Sequence, residues 1–305
     1  MDLLPDFYRF DYLLNMRVIL WGLKSQRNSF RYIWQGFFEN FARLGYETIW
    51  VNDDEKNLEF IKKNSLVFAV NVASKNLKPI KGANWVLHNI LDDKFKESGN
   101  VLNLQVFTNS ARGEPLGSKA ILWNQKSQTL YQPWGIPEHP NTWLKPATKG
   151  DKEYWVGAVW NNENNQGNAE IISEYKEILL KNQIRFRKVG GTRWITRNGV
   201  SSKKSMHLIN GSPIGASIVG NWQRENEYIP CRFFKNIAAG APPSSNLDLS
   251  EILKIKGIYH KNLEFLVGER LGQSRKEEIE MVNDAQAKII PLSYENNIKR
   301  IIGMF

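Results

Sequence analysis

At 305 residues the chain exceeds one typical domain and suits two of about 150 residues each, and its 42% hydrophobic and 24% charged residues are those of an ordinary globular protein. A net charge of +10 favours acidic partners, among which nucleotide diphosphates, anionic glycans, membrane faces and nucleic acid all qualify. The single cysteine, Cys231, excludes an intramolecular disulfide and a cysteine-cluster zinc site, which makes a reducing compartment the default.

The chain opens on residues 1–15, an N-terminal extension that carries acids where a signal peptide would carry a basic region. Arg17 to Trp21 (RVILW) then reads as a buried strand, followed by the loop Gly22 to Ser29. Phe30, Ile33, Trp34, Phe37, Phe38, Phe41 and Leu44 follow at i, i+3, i+4, i+7, i+8, i+11 and i+14, the single apolar stripe of a helix, and Gly45 stands where a C-terminal cap belongs. Thr48 to Val51 is the second strand. Leu66 to Val70, Trp85 to Leu87, Leu104 to Thr108 and Ala120 to Trp123 read as further strands between weaker helices or loops, a spacing that predicts a parallel sheet. Around Tyr131 to Pro146 the sequence turns proline-rich, so residues 16–132 form a first domain and 133–150 a linker.

The same grammar restarts with a strand at Tyr154 to Trp160, the polar loop NNENNQGN and a helix striped by Ile171, Ile172, Tyr175, Ile178 and Leu179. Strand Ile184 to Val189, a Gly190-Gly191 turn, strand Ala216 to Val219 and a helix from about Arg232 to Ala239 come next. The remainder reads as a short strand or turn at Ala241 to Ser245, helix Leu249 to Ile255, strand Gly257 to Tyr259 and helices to the end. The expected architecture is α/β, two Rossmann-like domains, the second over 151–285, with residues 286–305 as a final helix. No window approaches 18 consecutive apolar residues, so a spanning helix is not expected; a cytoplasmic protein, peripheral to a membrane where its charge allows, is.

Chemistry concentrates in Tyr228 to Asn246 (YIPCRFFKNIAAGAPPSSN). Pro230 suits a helix start and Gly240 a helix end, which places Arg232 and Lys235 three apart on the first turn. Two cations there oppose the helix macrodipole, at a cost of a few tenths to about 1 kcal/mol each. A diphosphate would compensate, through free N–H groups, an Arg fork and a Lys point charge; pairing with Glu225 or Glu227, or simple solvation, would do so equally.

This segment resembles the donor-binding signature of GT-B glycosyltransferases, approximately Arg-x-Phe-Glu-x-x-Ala-x-Gly, in Arg232, Phe234, Ala238 and Gly240, with Lys235 in place of the acid. A similar segment occurs in the α1,3-fucosyltransferases, whose Gly-x-x-Pro exit matches Gly240 and Pro243. The run Tyr294-Glu295-Asn296-Asn297-Ile298-Lys299-Arg300 resembles the tail of CgeB-like glycosyltransferases. The resemblance covers roughly residues 130–305. It implies two domains facing a cleft, a last helix that returns to the first domain, a nucleotide-sugar donor as co-substrate, and a glycan or lipid-linked acceptor. Fucose is one candidate sugar.

Strand exits supply further donor-side candidates: Gly157, Trp160 and Asn161 after the first strand of the second half, and Gly190, Gly191 and Arg193 after the next. Gln223, Tyr228, Ser244, Ser245 and Asn246 complete the set. In the first half, Arg27 and Asn28 lie on a loop suited to contact acceptor or donor phosphate. His88, at a strand end, and Asp53, after strand two, compete as general base, the imidazole being suited to take a hydroxyl proton near neutral pH.

There is no Asp-x-Asp motif, no His/Asp/Glu cluster at metal spacing, no P-loop, no Gly-x-Ser-x-Gly and no Gly-x-Gly-x-x-Gly. A metal-independent transferase with no cofactor is therefore expected, its leaving diphosphate stabilised by side chains and helix dipole. A nucleotide-sugar 2-epimerase of the same fold and a basic nucleic-acid-binding protein are the rival readings. The basic residues occur along the whole chain rather than in a tail, which argues against the second and against a specific nucleic-acid partner.

Overall fold

The structure, a computed structural model, describes residues 16–25, 29–70, 76–90, 93–106, 120–164, 166–189, 201–255 and 257–305. The expectations for residues 1–15, Arg27, Asn28, Gly190, Gly191 and Arg193 lie outside them. The described chain is α/β with a mostly parallel seven-stranded sheet, and it falls into two compact units: Met1–Gln105 with Leu122–Gln132 and Tyr294–Phe305, and Val106–Ile121 with Pro133–Ser293.

The first unit holds the sheet, in the order β2-β1-β3-β4-β5-β7-β6. Its strands are β1 (Val18–Trp21), β2 (Thr48–Val51), β3 (Leu66–Val70), β4 (Asn84–His88), β5 (Val101–Gln105), β6 (Leu122–Asn124) and β7 (Thr129–Tyr131). All neighbours pair in parallel except β6, which runs antiparallel to β7. The apolar runs VILW and LVFAV are buried at every position because they occupy the centre of a parallel sheet covered on both faces. Between β2 and β5 the described residues contain one 3-10 turn, Asp93–Phe95, and no α-helix.

Helix α1 (Ser29–Arg43) buries Ile33, Trp34, Phe37 and Phe41, with the Trp34 and Phe37 rings 5.0 and 4.8 Å from Phe68 of β3. It ends in a Schellman cap. Gly45, at φ 92°, donates to Ala42 O, Tyr46 donates to Phe41 O, and the Tyr46 ring packs on Phe41 at 5.8 Å.

The second unit is built on two parallel pairs, β8 (Lys152–Val156) with β9 (Arg185–Val189) and β10 (Ala216–Ser217) with β11 (Ser244–Ser245). What sequence periodicity reads as one sheet is two short ladders joined by a side chain. The buried Glu153 carboxylate of β8 accepts N–H bonds from Ile214 (3.1 Å) and Ala216 (2.9 Å). Around these pairs lie α2 (Ala169–Lys181), α3 (Ser202–Asn210), α4 (Asn221–Glu225), α5 (Cys231–Ala238), α6 (Ser250–Leu253), α7 (Leu263–Gly272) and α8 (Arg275–Ile289). One core gathers Trp155, Ile172, Tyr175, Leu179, Leu266 and Val267; another gathers Phe233, Phe234 and Ile237 of α5 with Ile209, Leu249 and Ile289.

Residues 133–150, linker-like in composition, are packed into this unit. Trp143 and Leu144 lie against the second core, and the Leu144 N–H bonds to Ala238 O. The last helix, α9 (Tyr294–Ile302), belongs to the first unit, where Tyr294 stacks on Phe37 at 4.4 Å. Among the described residues no helix is long and apolar enough to cross a membrane.

Candidate anion site at the start of helix α5

Pro230 precedes α5 in extended backbone, contributes no capping side chain and leaves a first turn without an acid. The helix start is therefore electrostatically positive and open to an acceptor. Arg232 stands on that turn. Alternation along β8 turns Glu153 and Trp155 inward, so Trp155 is wholly buried, and the Arg232 guanidinium carbon lies 3.5 Å from the centre of its ring. Arg232 Nε donates to Val156 O at 3.0 Å. The next residue is Gly157, at φ 129°, where an added Cβ would come within 2.5 Å of Arg232 Nη2. Three consecutive residues thus hold one guanidinium: an aromatic floor, a carbonyl, and a glycine whose missing side chain leaves room for it.

The charge is not neutralised from within. Arg232 is mostly buried, which lowers its pKa to about 9, still well above neutrality, so the cation persists. No described carboxylate forms an ion pair with it. Burial also pushes the neighbouring Cys231 thiol up to about 12 and raises the Tyr228 phenol, so both are neutral at neutral pH.

Lys235 does not join Arg232. It is buried, its ammonium donates to Ser202 Oγ at 3.1 Å and lies 3.9 Å from Glu138 Oε1, and Ser202 Oγ in turn donates to Glu138. The acid that compensates it comes from residues 133–150, where neither Glu225 nor Glu227 would have pointed.

The loop after β8 is shaped by its own asparagines. Asn161 Oδ1 accepts from Asn162 and Gly167 N–H, and Asn168 Oδ1 accepts from Trp160 N–H, so both side chains hold turns. Trp160 projects, 40% exposed. Gly220 packs against this loop so closely that a Cβ would fall 2.0 Å from Gly167 O, and Gln223 Oε1 accepts the Gly220 N–H at the start of α4.

Ser244, Ser245 and Asn246 are buried and occupied internally. Ser244 Oγ donates to Ile214 O and accepts from Arg270 Nε, and Ser245 Oγ accepts from Leu247 N–H. The Asn246 amide extends the β10–β11 ladder, bonding both N–H and C=O of Val219 at 2.8 and 2.9 Å. Their small polar side chains read as ligand contacts in sequence; in the fold they satisfy strand ends.

In the first unit, His88 closes β4, 3% exposed, with Nδ1 2.9 Å from Leu104 O and Nε2 3.2 Å from Asn89 Nδ2. A carbonyl can only accept, so Nδ1 carries the proton and Nε2 takes the amide N–H. Burial lowers its pKa to about 4. The ring is neutral at physiological pH and neither nitrogen is left for an acceptor hydroxyl. Asp53 sits in the turn after β2, its backbone carbonyl accepting from Asn76 Nδ2.

The sequence reading missed Trp155, Val156 and Glu138. Trp155 shares its face of β8 with the charged Glu153, so no apolar alternation singles it out in KEYWV, and nothing local marks Glu138, about a hundred residues before its partner. Among the described residues no group of three or more His, Cys, Asp and Glu side chains could hold a metal ion. No family model matches the chain, and no curated protein matches it.

Proposed function

We propose that the chain is a glycosyltransferase of the GT-B kind, its two units being the acceptor-side and donor-side halves, and that it moves a sugar from a nucleotide-activated donor to a glycan or lipid-linked acceptor. The observation that carries this reading is Arg232: a guanidinium fixed by Trp155 and Val156 at an uncapped helix start, with no carboxylate partner among the described residues. A fixed cation beside free N–H groups is what a leaving diphosphate requires, because charge grows on the leaving oxygens as the glycosidic bond breaks. Preorganisation makes the help available without rearrangement. The position agrees, since Gly157 follows the carboxyl end of β8, the end of a parallel strand where ligands bind in α/β folds.

The role falls to Arg232 with the α5 N–H groups, not to Lys235, whose charge is taken by Glu138. Thermal-shift titration with UDP, GDP, CMP and dTDP tests the reading. One nucleoside diphosphate or monophosphate should raise the melting temperature, and Arg232→Ala should abolish that rise. A shift retained in full by Arg232→Ala sinks the assignment, and epimerisation of the donor when incubated alone would assign the site to an epimerase instead.

A further inference from the structure

Although basic residues occur along the whole chain, their excess over acids is concentrated. Residues 178–224 hold nine Lys and Arg and no Asp or Glu, leaving 32 cations against 31 acids elsewhere. The folded chain gathers part of this run along β9, which pairs with β8 alone among the described residues and so presents an open edge. Arg185 and Arg187 are exposed on one side of that edge. Phe186 and Lys188 occupy the other, where the Lys176 ammonium of α2 lies 5.2 Å from the Phe186 ring centre. Burial and the like charge of Lys176 both draw the Lys188 pKa down.

Leu180 follows Lys176 by four residues and therefore shares its flank of α2, and it is the most exposed large apolar side chain described, at 77%. Of the acids of α2, Glu177 lies three residues before Leu180 and borders this flank, while Glu170 and Glu174 lie farther round, towards Lys181, which pairs with Glu264 of α7. Arg185 pairs with Asp151, so the edge and its flank are net basic rather than free of acid: Arg185, Arg187, Lys188 and Lys176 outnumber Asp151 and Glu177, and one aliphatic tip protrudes.

We propose that the β9 edge and the adjoining flank of α2 dock on an anionic phospholipid surface, the cations against the headgroups and Leu180 in the interface. Two features select this partner. A nucleic acid would use the cations but gain nothing from Leu180, and the one aromatic ring of the edge is capped by Lys176 rather than free to stack. Strand addition by a protein is opposed by a row of basic side chains on the open edge.

Co-sedimentation of the full chain with vesicles tests it, in the absence of any nucleotide so that the outcome is independent of the Arg232 reading. Phosphatidylcholine vesicles containing phosphatidylserine should bind the chain in a salt-sensitive manner, and phosphatidylcholine alone should not. The exposed triple variant Lys176→Ser, Arg185→Ser, Arg187→Ser should bind roughly a hundredfold more weakly, from about fivefold per cation. Leu180→Ser should weaken binding at every salt concentration without changing its salt slope. Equal partition onto both vesicle types, or undiminished binding by a triple variant whose melting temperature matches the parent, overturns the proposal. So does an oligonucleotide that displaces the vesicles and loses affinity in the triple variant, which would give the face to nucleic acid.

Discussion

Arg232 and Trp155 form a cation–π pair, the guanidinium carbon 3.5 Å from the centre of a wholly buried indole. A buried ring cannot yield, so together with the Nε bond to Val156 O it fixes the place of the fork. Arg232→Lys keeps the charge but loses the planar contact and the Nε bond to Val156. We expect nucleoside diphosphate affinity to fall about tenfold in Arg232→Lys, since cation–π contacts contribute about 0.5–2 kcal/mol, and further in Arg232→Ala. Isothermal titration against the nucleotide found by thermal shift measures both; equal affinity in Lys and wild type would show that charge alone matters.

Gly157→Ala separates the site from the scaffold. At φ 129° an alanine is strained, and its Cβ would lie 2.5 Å from Arg232 Nη2, the far end of a side chain that can swing away. The strain should cost about 1–3 kcal/mol of stability, while nucleotide binding should fall to the level of Arg232→Ala because the fork is displaced. Unfolding in urea and titration on the same sample distinguish the two effects. Wild-type binding in Gly157→Ala would mean that Arg232 is not held where β8 places it.

Legibility followed the distance over which each feature is decided. Helix α1 was readable to its Schellman glycine because stripe and cap are local, and β1 and β3 because burial on both faces leaves an unbroken apolar run. Strand β7 was not: Thr129–Tyr131 is three residues long, and its burial comes from β5 and β6. At the site, Arg232 was legible as a cation on a helix start. Its floor was hidden, since Trp155 is one of 11 tryptophans and only the fold sets it beneath Arg232. Lys235 looked equivalent to Arg232 at three residues' spacing, and the difference was made by Glu138.

Glu153 should make the second unit less stable as pH rises. Burial raises its carboxyl pKa to about 7, against the backbone N–H bonds from Ala216, Ile214 and Gly215 that favour the anion. Between the ordinary carboxylate value and 7 the native state holds a proton that the unfolded state releases, so stability is greatest below that range and declines through it, by up to about 3 kcal/mol. Glu153→Gln keeps an acceptor oxygen and cannot ionise. The variant should lose this decline in the second unit over the same interval, and a decline equal to the parent's would show that Glu153 is not the titrating group.

His88 gives the opposite slope, in the first unit. Its pKa falls from 6.5 unfolded to about 4 folded, chiefly by burial, with the Leu104 bond opposing. The unfolded state therefore binds the proton first: the contribution is complete above pH 6.5 and is lost as pH falls towards 4, again up to about 3 kcal/mol. Asparagine can present an amide N–H to Leu104 O and does not titrate, so His88→Asn should flatten this acid limb in urea unfolding at pH 7 and pH 5. The same variant decides the catalytic question. A structural His88 leaves the pH dependence of sugar transfer between pH 4 and 6.5 unaltered by the substitution. A rate limb in that range that disappears in His88→Asn, with stability matched at the assay pH, would restore the imidazole as the base and require the Asn89 bond to open during turnover.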